Sequence, residues 1–191
     1  MSCTMSISIV QLIFICKGGI KLNPVVVYFS RAGENFINGV SQKIPIGNTE
    51  VLAHKIIDQL NCPFIQLKEI ENYPDSYDET VKRAELEKKG NTRVAYQKIE
   101  LDRSKIDTLF LGYPNWWGSY PRIISTFLED FDTDGLIIYP FCTHEGSAFG
   151  SSLNELKNQC PNADIRSGLP VRGSRVERAD VAIENWLLAY K

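Results

Sequence analysis

Segments typical of strands and of helices alternate five times along this sequence, which predicts an α/β fold built on a parallel sheet. The clearest strand is Val25–Phe29, a continuous β-branched and aromatic run of the kind that is covered on both faces. Right-handed crossovers place helices on both faces of such a sheet. We therefore expect a three-layer α/β/α sandwich around a five-stranded parallel sheet, forming a single domain over residues 24–191.

The expected strands are short apolar runs between polar or turn-forming residues. Besides Val25–Phe29, they are residues 64–67, 106–113, 136–141 and 163–165. Ligands bind such sheets beyond the carboxyl ends of the strands, where the strand order reverses. The loops after the first, third and fourth strands are therefore expected to meet in one place.

A helix is expected after each strand. The first begins at Asn48 or Thr49, either of which can serve as its N-cap. The second, residues 78–89, is highly charged, and we interpret it as a solvated helix face crossed by charge pairs. Pro121 suits the first turn of the third helix. The last three helices are expected at residues 121–130, 151–160 and 176–190.

Composition and charge narrow the range of functions. A chain of 191 residues that is 43% apolar can bury a core without disulfides or a structural metal. Its formal net charge of −2 argues against binding to nucleic acids or anionic membranes. The five cysteines are scattered without a CxxC pair, and there are only two histidines. We therefore expect no metal centre and a cytoplasmic location.

The N-terminal residues 1–23 differ from the rest of the chain. Ile7–Cys16 is mostly apolar, but a run of about ten residues is too short to span a bilayer. The first basic residue is Lys17, whereas a signal peptide carries its positive charge before the apolar run. We interpret residues 1–23 as a non-essential extension. The competing interpretation is a short extra helix or strand packed on the domain.

The loop after the first strand has the residues of an anion site. It begins with Ser30, Arg31 and Ala32 and ends with Gly47-Asn48-Thr49, where the first helix starts. Backbone amides, hydroxyl groups and a helix N-terminus together favour a phosphate. The GKS/T ending of a nucleoside triphosphate loop is missing. The alternative is that Ser30 and Thr49 are ordinary turn and cap residues.

The loop after the third strand carries two adjacent tryptophans, Trp116 and Trp117. Large rings at the mouth of a sheet suit stacking against a flat aromatic ligand. The alternative is that one or both rings close the hydrophobic core beneath a turn. The loop after the fourth strand, 143–150, is rich in glycine and in hydrogen-bonding groups that suit the edge of a polar heterocycle.

In these three loops the chain resembles the flavodoxin-like FMN-binding family, in its bacterial branch with a Y-F-S-R-x-G start, a W-W-G central loop and a T-H-E-G-S final loop. The resemblance covers Pro24 to the C-terminus. It implies strand order 2-1-3-4-5 and a non-covalent FMN at the switch point of the sheet, a position for which flavodoxin itself is the standard example. The implied FMN contacts are Ser30, Arg31, Ala32, Asn48 and Thr49 at the phosphate, Pro114, Asn115, Trp116, Trp117 and Gly118 on one side of the ring, and Thr143, His144, Glu145, Gly146 and Gly150 on the other.

The resemblance implies a protein that shuttles electrons through FMN to a redox partner protein or a small-molecule acceptor, as a monomer or a homodimer. One alternative is an FMN-dependent NAD(P)H:quinone-type oxidoreductase, in which His144 and Glu145 are candidates for proton transfer. Electron-carrier flavodoxins tend to be strongly acidic, whereas the net charge of this chain is only −2. The difference is compatible with this alternative. A second alternative is a flavin-free binding module on the same fold.

One departure from the family pattern concerns the phosphate loop. Residues 34–47 interrupt the usual compact loop between Gly33 and Asn48. This insertion is expected either to fold over the ligand or to bulge outward.

Overall fold

The computed structural model describes residues 23–190, so the extension expected at residues 1–23 lies outside the described residues except for Asn23. The elements are, in chain order, β1 (Pro24–Phe29), β2 (Gly33–Ile37), β3 (Val40–Ile44), α1 (Asn48–Leu60), β4 (Phe64–Leu67), α2 (Tyr77–Lys89), β5 (Thr108–Pro114), α3 (Arg122–Asp130), β6 (Ile137–His144), α4 (Ser152–Gln159), β7 (Asp164–Ile165), β8 (Leu169–Arg172) and α5 (Asp180–Leu187). Short 3₁₀ helices lie at Arg103–Lys105 and Gly173–Arg178.

The central sheet has the order β4-β1-β5-β6-β7, and β8 also pairs with β6. Every pair in this sheet is parallel. Along the expected strands this path is 2-1-3-4-5, so the predicted order is confirmed.

The sheet has one strand more than predicted. Two short strands, β7 and β8, both pair with β6 where a single fifth strand was expected. β7 pairs with Ile137 and Ile138, whereas β8 pairs with residues 141–144 further along β6. The two strands are separated near Gly168, where a Cβ would collide with the Phe149 ring and lie 2.8 Å from the Pro140 carbonyl oxygen. The sheet therefore has six strands, and its last edge is made in two pieces.

Apolar side chains fill both faces of the sheet. On one face α3 and α4 bury Phe127 and Leu156 against the strands. On the other face α1 and α5 bury Leu52 and Ile183. The removal of these side chains from water is the main source of stability for such a sandwich. The three-layer α/β/α architecture is the predicted one. Helix α5 is shorter than the expected helix 176–190 because residues 173–178 form a 3₁₀ helix.

Strands β2 and β3 form an antiparallel hairpin outside the sheet. Its turn is Asn38-Gly39, and both residues have positive φ, 52° and 85°. These values fit a two-residue type I′ turn, in which Asn-Gly is favoured. Most of the insertion at residues 34–47 is therefore this hairpin.

In the described range, 23–190, no helix combines the length and the apolar character needed to cross a membrane. No group of three or more His, Cys, Asp or Glu side chains within that range is placed to hold a metal ion.

Candidate functional site

An open cavity of about 420 Å³ lies at the carboxyl ends of β5 and β6 and beside the start of α1. Its volume falls within the roughly 300–1,000 Å³ of small-molecule sites. The three loops singled out in the sequence all contribute to its lining. The expected FMN contacts that line it are Arg31, Asn48, Pro114, Asn115, Trp116, Trp117, Gly118, Thr143, His144 and Glu145.

Five of the expected FMN contacts do not line this cavity: Ser30, Ala32, Thr49, Gly146 and Gly150. The Thr49 hydroxyl is buried and lies 2.7 Å from the Thr143 hydroxyl. Ala32 and Gly146 are exposed on their loops. Gly150 lies directly behind Gly118, and a Cβ on it would collide with the Gly118 backbone. The Thr49 side chain and Gly150 therefore support neighbouring segments from behind the cavity wall.

The N-terminus of α1 forms a cradle of backbone donors beside the first loop. The Ser30 hydroxyl accepts a hydrogen bond from the Glu50 amide at 3.0 Å. The carbonyl of Gly47 accepts from Glu50 and Val51 at 3.0 and 3.1 Å. Asn48 and Thr49 are the first two residues of α1, so their amides have no intrahelical acceptor. They are therefore available to an anion.

Gly47 allows this cradle to close. A Cβ at this position would collide with the Ser30 hydroxyl and with the backbone of Arg31. Any other residue would push the first loop away from the start of α1. The close approach of the two segments therefore depends on a glycine here.

The guanidinium of Arg31, a lining residue of the cavity, donates to backbone carbonyls. It donates to the carbonyls of Glu34 at 2.6 Å, Pro74 at 2.5 Å and Asp75 at 2.8 Å. Burial lowers the pKa of this side chain, against the opposing effect of Asp75. Arg31 therefore fastens the start of the hairpin to the loop before α2.

The two adjacent tryptophans have different environments. The Trp116 ring packs edge-on against Phe29 and Tyr73, with ring centroids 5.6 and 4.9 Å apart. The Trp117 side chain is 49% exposed, and its indole N–H donates to the Val81 carbonyl at 3.0 Å. Trp116 thus packs largely against the hydrophobic core, which was the alternative considered for the two rings. Trp117 presents a free ring surface to the cavity.

A tight turn fixes the position of Trp117. The amide and carbonyl of Trp116 exchange hydrogen bonds with Ser119, at 2.8 and 3.1 Å. Trp117 and Gly118 both have positive φ, 53° and 76°. Positive φ is uncommon for a bulky residue and marks local strain, which clusters at functional sites. Ser151 holds the turn from behind, because its amide donates to the Gly118 carbonyl at 2.7 Å.

The β6 end of the site is held together by hydrogen bonds. The Asn115 amide donates to the Thr143 carbonyl at 2.7 Å, and the Asn115 side chain donates to the Ala148 carbonyl at 2.6 Å. Each carboxylate oxygen of Glu145 accepts a backbone N–H, one from Asn38 at 3.3 Å and one from Ser174 at 3.2 Å. Both oxygens of this candidate proton-transfer group are thus engaged in joining loops.

His144 has a buried polar atom without a partner. Its Nδ1 makes no hydrogen bond within the described part of the chain. Burial lowers the pKa of His144, and the nearby Arg172 lowers it further. The strand register explains this proximity, because His144 of β6 lies opposite Arg172 of β8. His144 is therefore kept neutral at the edge of the cavity.

Eight other residues that line the cavity were not predicted as FMN contacts. They are Asn35 and Phe36 of the hairpin, Tyr77, Thr80, Val81 and Ala84 of α2, and Ser147 and Gly173. Two signals could have found most of them. The Asn38-Gly39 pair predicts a hairpin, and residues 77, 80, 81 and 84 form a helical i, i+3, i+4, i+7 stripe of less polar residues. The charge pairs expected for residues 78–89 are present as Arg83–Glu87 and Lys89–Glu85, whereas the contact of this stripe with the cavity was not predicted.

Comparison with known proteins places the chain in a family. No curated protein matches it. A protein from Bacteroides eggerthii DSM 20697 that is designated a flavoprotein is 25% identical, with a TM-score of 0.72 over 88% of this chain and 98% of that chain. A second such protein, from Bacteroides uniformis ATCC 8492, is 23% identical, with a TM-score of 0.68 over 85% and 98% of the two chains.

A flavoprotein from Lactobacillus acidophilus NCFM, solved in complex with FMN, is 18% identical, with a TM-score of 0.62 over 83% of this chain and 98% of that chain. At these identities the last two structures show the same fold. The sequence model of the flavodoxin family matches residues 25–189, which is most of the chain. This protein therefore belongs to the flavodoxin family.

Proposed function

We propose that this protein binds one FMN non-covalently and transfers electrons through it. The observation that carries the proposal is that the cavity combines the N-terminus of α1 with the exposed ring of Trp117. The two features are complementary to the two ends of FMN, a phosphate and a planar aromatic ring. Membership of the flavodoxin family and the FMN complex of the Lactobacillus acidophilus relative support the same cofactor.

The phosphate end fits the cradle at α1. The amides of Asn48 and Thr49 are the leading donors of a 13-residue helix, whose dipole favours a negative group. No acidic side chain of the described residues lines the cavity next to Asn48 except Glu145, and Glu145 is already engaged by two amides. The donor set is therefore suited to a phosphate monoester.

The ring end fits the remainder of the cavity. Trp117 offers an aromatic surface for stacking. His144 borders the cavity as well, although its Nδ1 is itself buried. Pro114, Trp116 and Thr143 complete the lining there.

The chain's own residues control the environment of electron transfer. Bound FMN would supply reversible transfer of one or two electrons. Apolar side chains such as Trp117 and Val81 beside the flavin would disfavour added negative charge on it, which lowers its reduction potential. His144 is held neutral, and Glu145 already accepts two N–H groups. A neutral His144 has no imidazolium proton to donate, and this favours the carrier function over a reductase that relies on His144 as its acid.

A spectroscopic titration tests this proposal. The purified protein is incubated with FMN, freed of excess cofactor and reduced stepwise with dithionite under argon. Retained flavin absorbance, with reduction in two separate one-electron steps, is the expected result for a carrier. Rapid oxidation of NAD(P)H by the loaded protein with a quinone acceptor would instead establish the oxidoreductase. The redox partner, the oligomeric state and the cytoplasmic location stay predictions from the sequence.

A further inference from the structure

We propose that Phe36, on the β2–β3 hairpin, is a second stacking surface for the planar ring of the cofactor. This inference rests on the proposed function. It moves one wall of the ring site from the loop at 143–150, where the family resemblance placed it, to the hairpin. The residues of that loop that line the cavity are Thr143, His144, Glu145 and Ser147, and none has an aromatic ring other than the imidazole.

Phe36 is an exposed aromatic side chain that faces a cavity. Its side chain is 42% exposed, although it lines the same cavity as Trp117. One side of its ring is supported by Tyr77, with centroids 5.7 Å apart and planes 25° from parallel. An apolar ring left half in water gains free energy when a second flat surface covers it.

The hairpin is fastened at its base. The Glu34 amide donates to the Asp75 carbonyl at 3.0 Å, and the Glu34 carboxylate accepts the Tyr77 amide at 2.8 Å. The Arg31 guanidinium adds a bond to the Glu34 carbonyl at 2.6 Å. These contacts join the first hairpin strand to the segment that leads into α2.

The tip of the hairpin is fastened to the opposite side of the site. The Asn38 amide donates to the Glu145 carboxylate at 3.3 Å. The hairpin therefore spans from the first loop to the end of β6, with Phe36 between the two attachments. A side chain held in this way loses little conformational freedom when a ligand binds, so its contact adds to affinity.

Phe36 and Trp117 border the same short stretch of α2. Phe36 stacks on Tyr77, and the Trp117 indole donates to the Val81 carbonyl. Tyr77 and Val81 are four residues apart, which is about 6 Å along a helix axis. The buried Thr80 lies between them on the same face. The two exposed rings thus reach the cavity from two different elements, over about one turn of α2.

The test compares FMN with riboflavin, which has the same ring without the phosphate. We expect Phe36→Ala to raise the Kd of both ligands by a similar factor of about ten, the scale of an aromatic contact plus its buried area. Phe36→Trp is expected to keep wild-type affinity for both. The matched control is Val40→Ala, since Val40 is exposed on the same hairpin, is paired with Ile37 and does not line the cavity.

A second variant separates stacking from hairpin folding. Phe36→Leu keeps an apolar side chain on Tyr77 but removes the aromatic face, so we expect it to weaken both ligands while the apo protein keeps its Tm. Unchanged affinity in both Phe36→Ala and Phe36→Leu would overturn the inference, as would a loss for FMN alone, which would indicate a phosphate effect. If the wild-type protein binds no FMN, both the proposed function and this inference fail. If the wild-type protein binds FMN and the Phe36 substitutions leave the Kd unchanged, only this inference fails.

Discussion

The hydroxyl groups of Thr49 and Thr143 lie 2.7 Å apart, and both side chains are buried. Thr49 is in the first turn of α1, and Thr143 is near the end of β6, adjacent to His144. This hydrogen bond joins the segment that provides the anion cradle to the strand that borders the ring end of the cavity. It therefore sets the spacing between the two halves of the proposed FMN site.

Replacement of one member of this pair leaves the other hydroxyl buried without a partner. We expect Thr143→Val to lower the free energy of unfolding by about 1–3 kcal/mol, the usual cost of such a group. The double variant Thr49→Val with Thr143→Val should lose less than the sum of the two single variants. Urea denaturation of the four proteins measures this coupling, and strictly additive losses would show that the hydroxyls do not interact.

Substitutions of the two adjacent tryptophans should have different effects: loss of Trp116 should lower stability, and loss of Trp117 should weaken ligand binding. Trp116→Ala removes a ring packed on Phe29 and Tyr73, and we expect it to cost about 2–4 kcal/mol of unfolding free energy. Trp117→Ala should leave stability nearly unchanged and weaken FMN binding about tenfold or more. Denaturation of the apo proteins and quenching of FMN fluorescence give the two quantities. The reverse pattern would mean that the roles of the two rings are exchanged.

Two glycines near the site should respond differently to a methyl group. Gly47→Ala is expected to reduce FMN affinity strongly, because its Cβ would collide with Ser30 and Arg31 and open the cradle. Gly146→Ala is the control, because no atom beyond Gly146 and its two chain neighbours lies within 4 Å of the position of its Cβ. Titration calorimetry with FMN measures both variants. Equal affinities in Gly47→Ala and the wild type would exclude a cradle that depends on this close approach.

The stability of the apo protein should depend on the protonation of His144. Burial and Arg172 lower its pKa below the ordinary value of about 6.5. The unfolded chain therefore binds a proton at a higher pH than the folded chain, and stability should fall as the pH drops below about 6.5 towards the lowered pKa. In a His54→Asn variant, His144 is the only histidine, so its imidazole NMR signals report the pKa directly. A pKa of 6.5 or above would contradict the structure.

The sheet could be predicted from the sequence because its signal is local. Val25–Phe29 and the apolar residues of β5 and β6 are continuous runs, as buried parallel strands require. The alternation with helices then determined the layers and the meeting point of the loops. The division of the expected fifth strand into β7 and β8 was not predicted. It depends on the approach of Gly168 to Phe149 and Pro140, which are distant in sequence.

The hairpin wall of the site was only partly predictable. Asn38-Gly39 is a local signal for a hairpin, but nothing local indicates that Phe36 stacks on Tyr77 or that Asn38 reaches Glu145. The direction of the Arg31 guanidinium was likewise undetermined, because its acceptors at Pro74 and Asp75 belong to a distant loop. Side chains that join distant segments are decided by tertiary packing, not by spacing along the chain.

Paired titrations of the wild-type protein with FMN and with riboflavin test the proposed FMN site most directly. Flavin fluorescence is recorded during each titration. We predict saturable quenching by both ligands, with a clearly lower Kd for FMN, because only FMN carries a phosphate for the amides of Asn48 and Thr49. Absence of quenching by FMN would contradict the proposed cofactor. Equal affinities for FMN and riboflavin would contradict the anion cradle at α1.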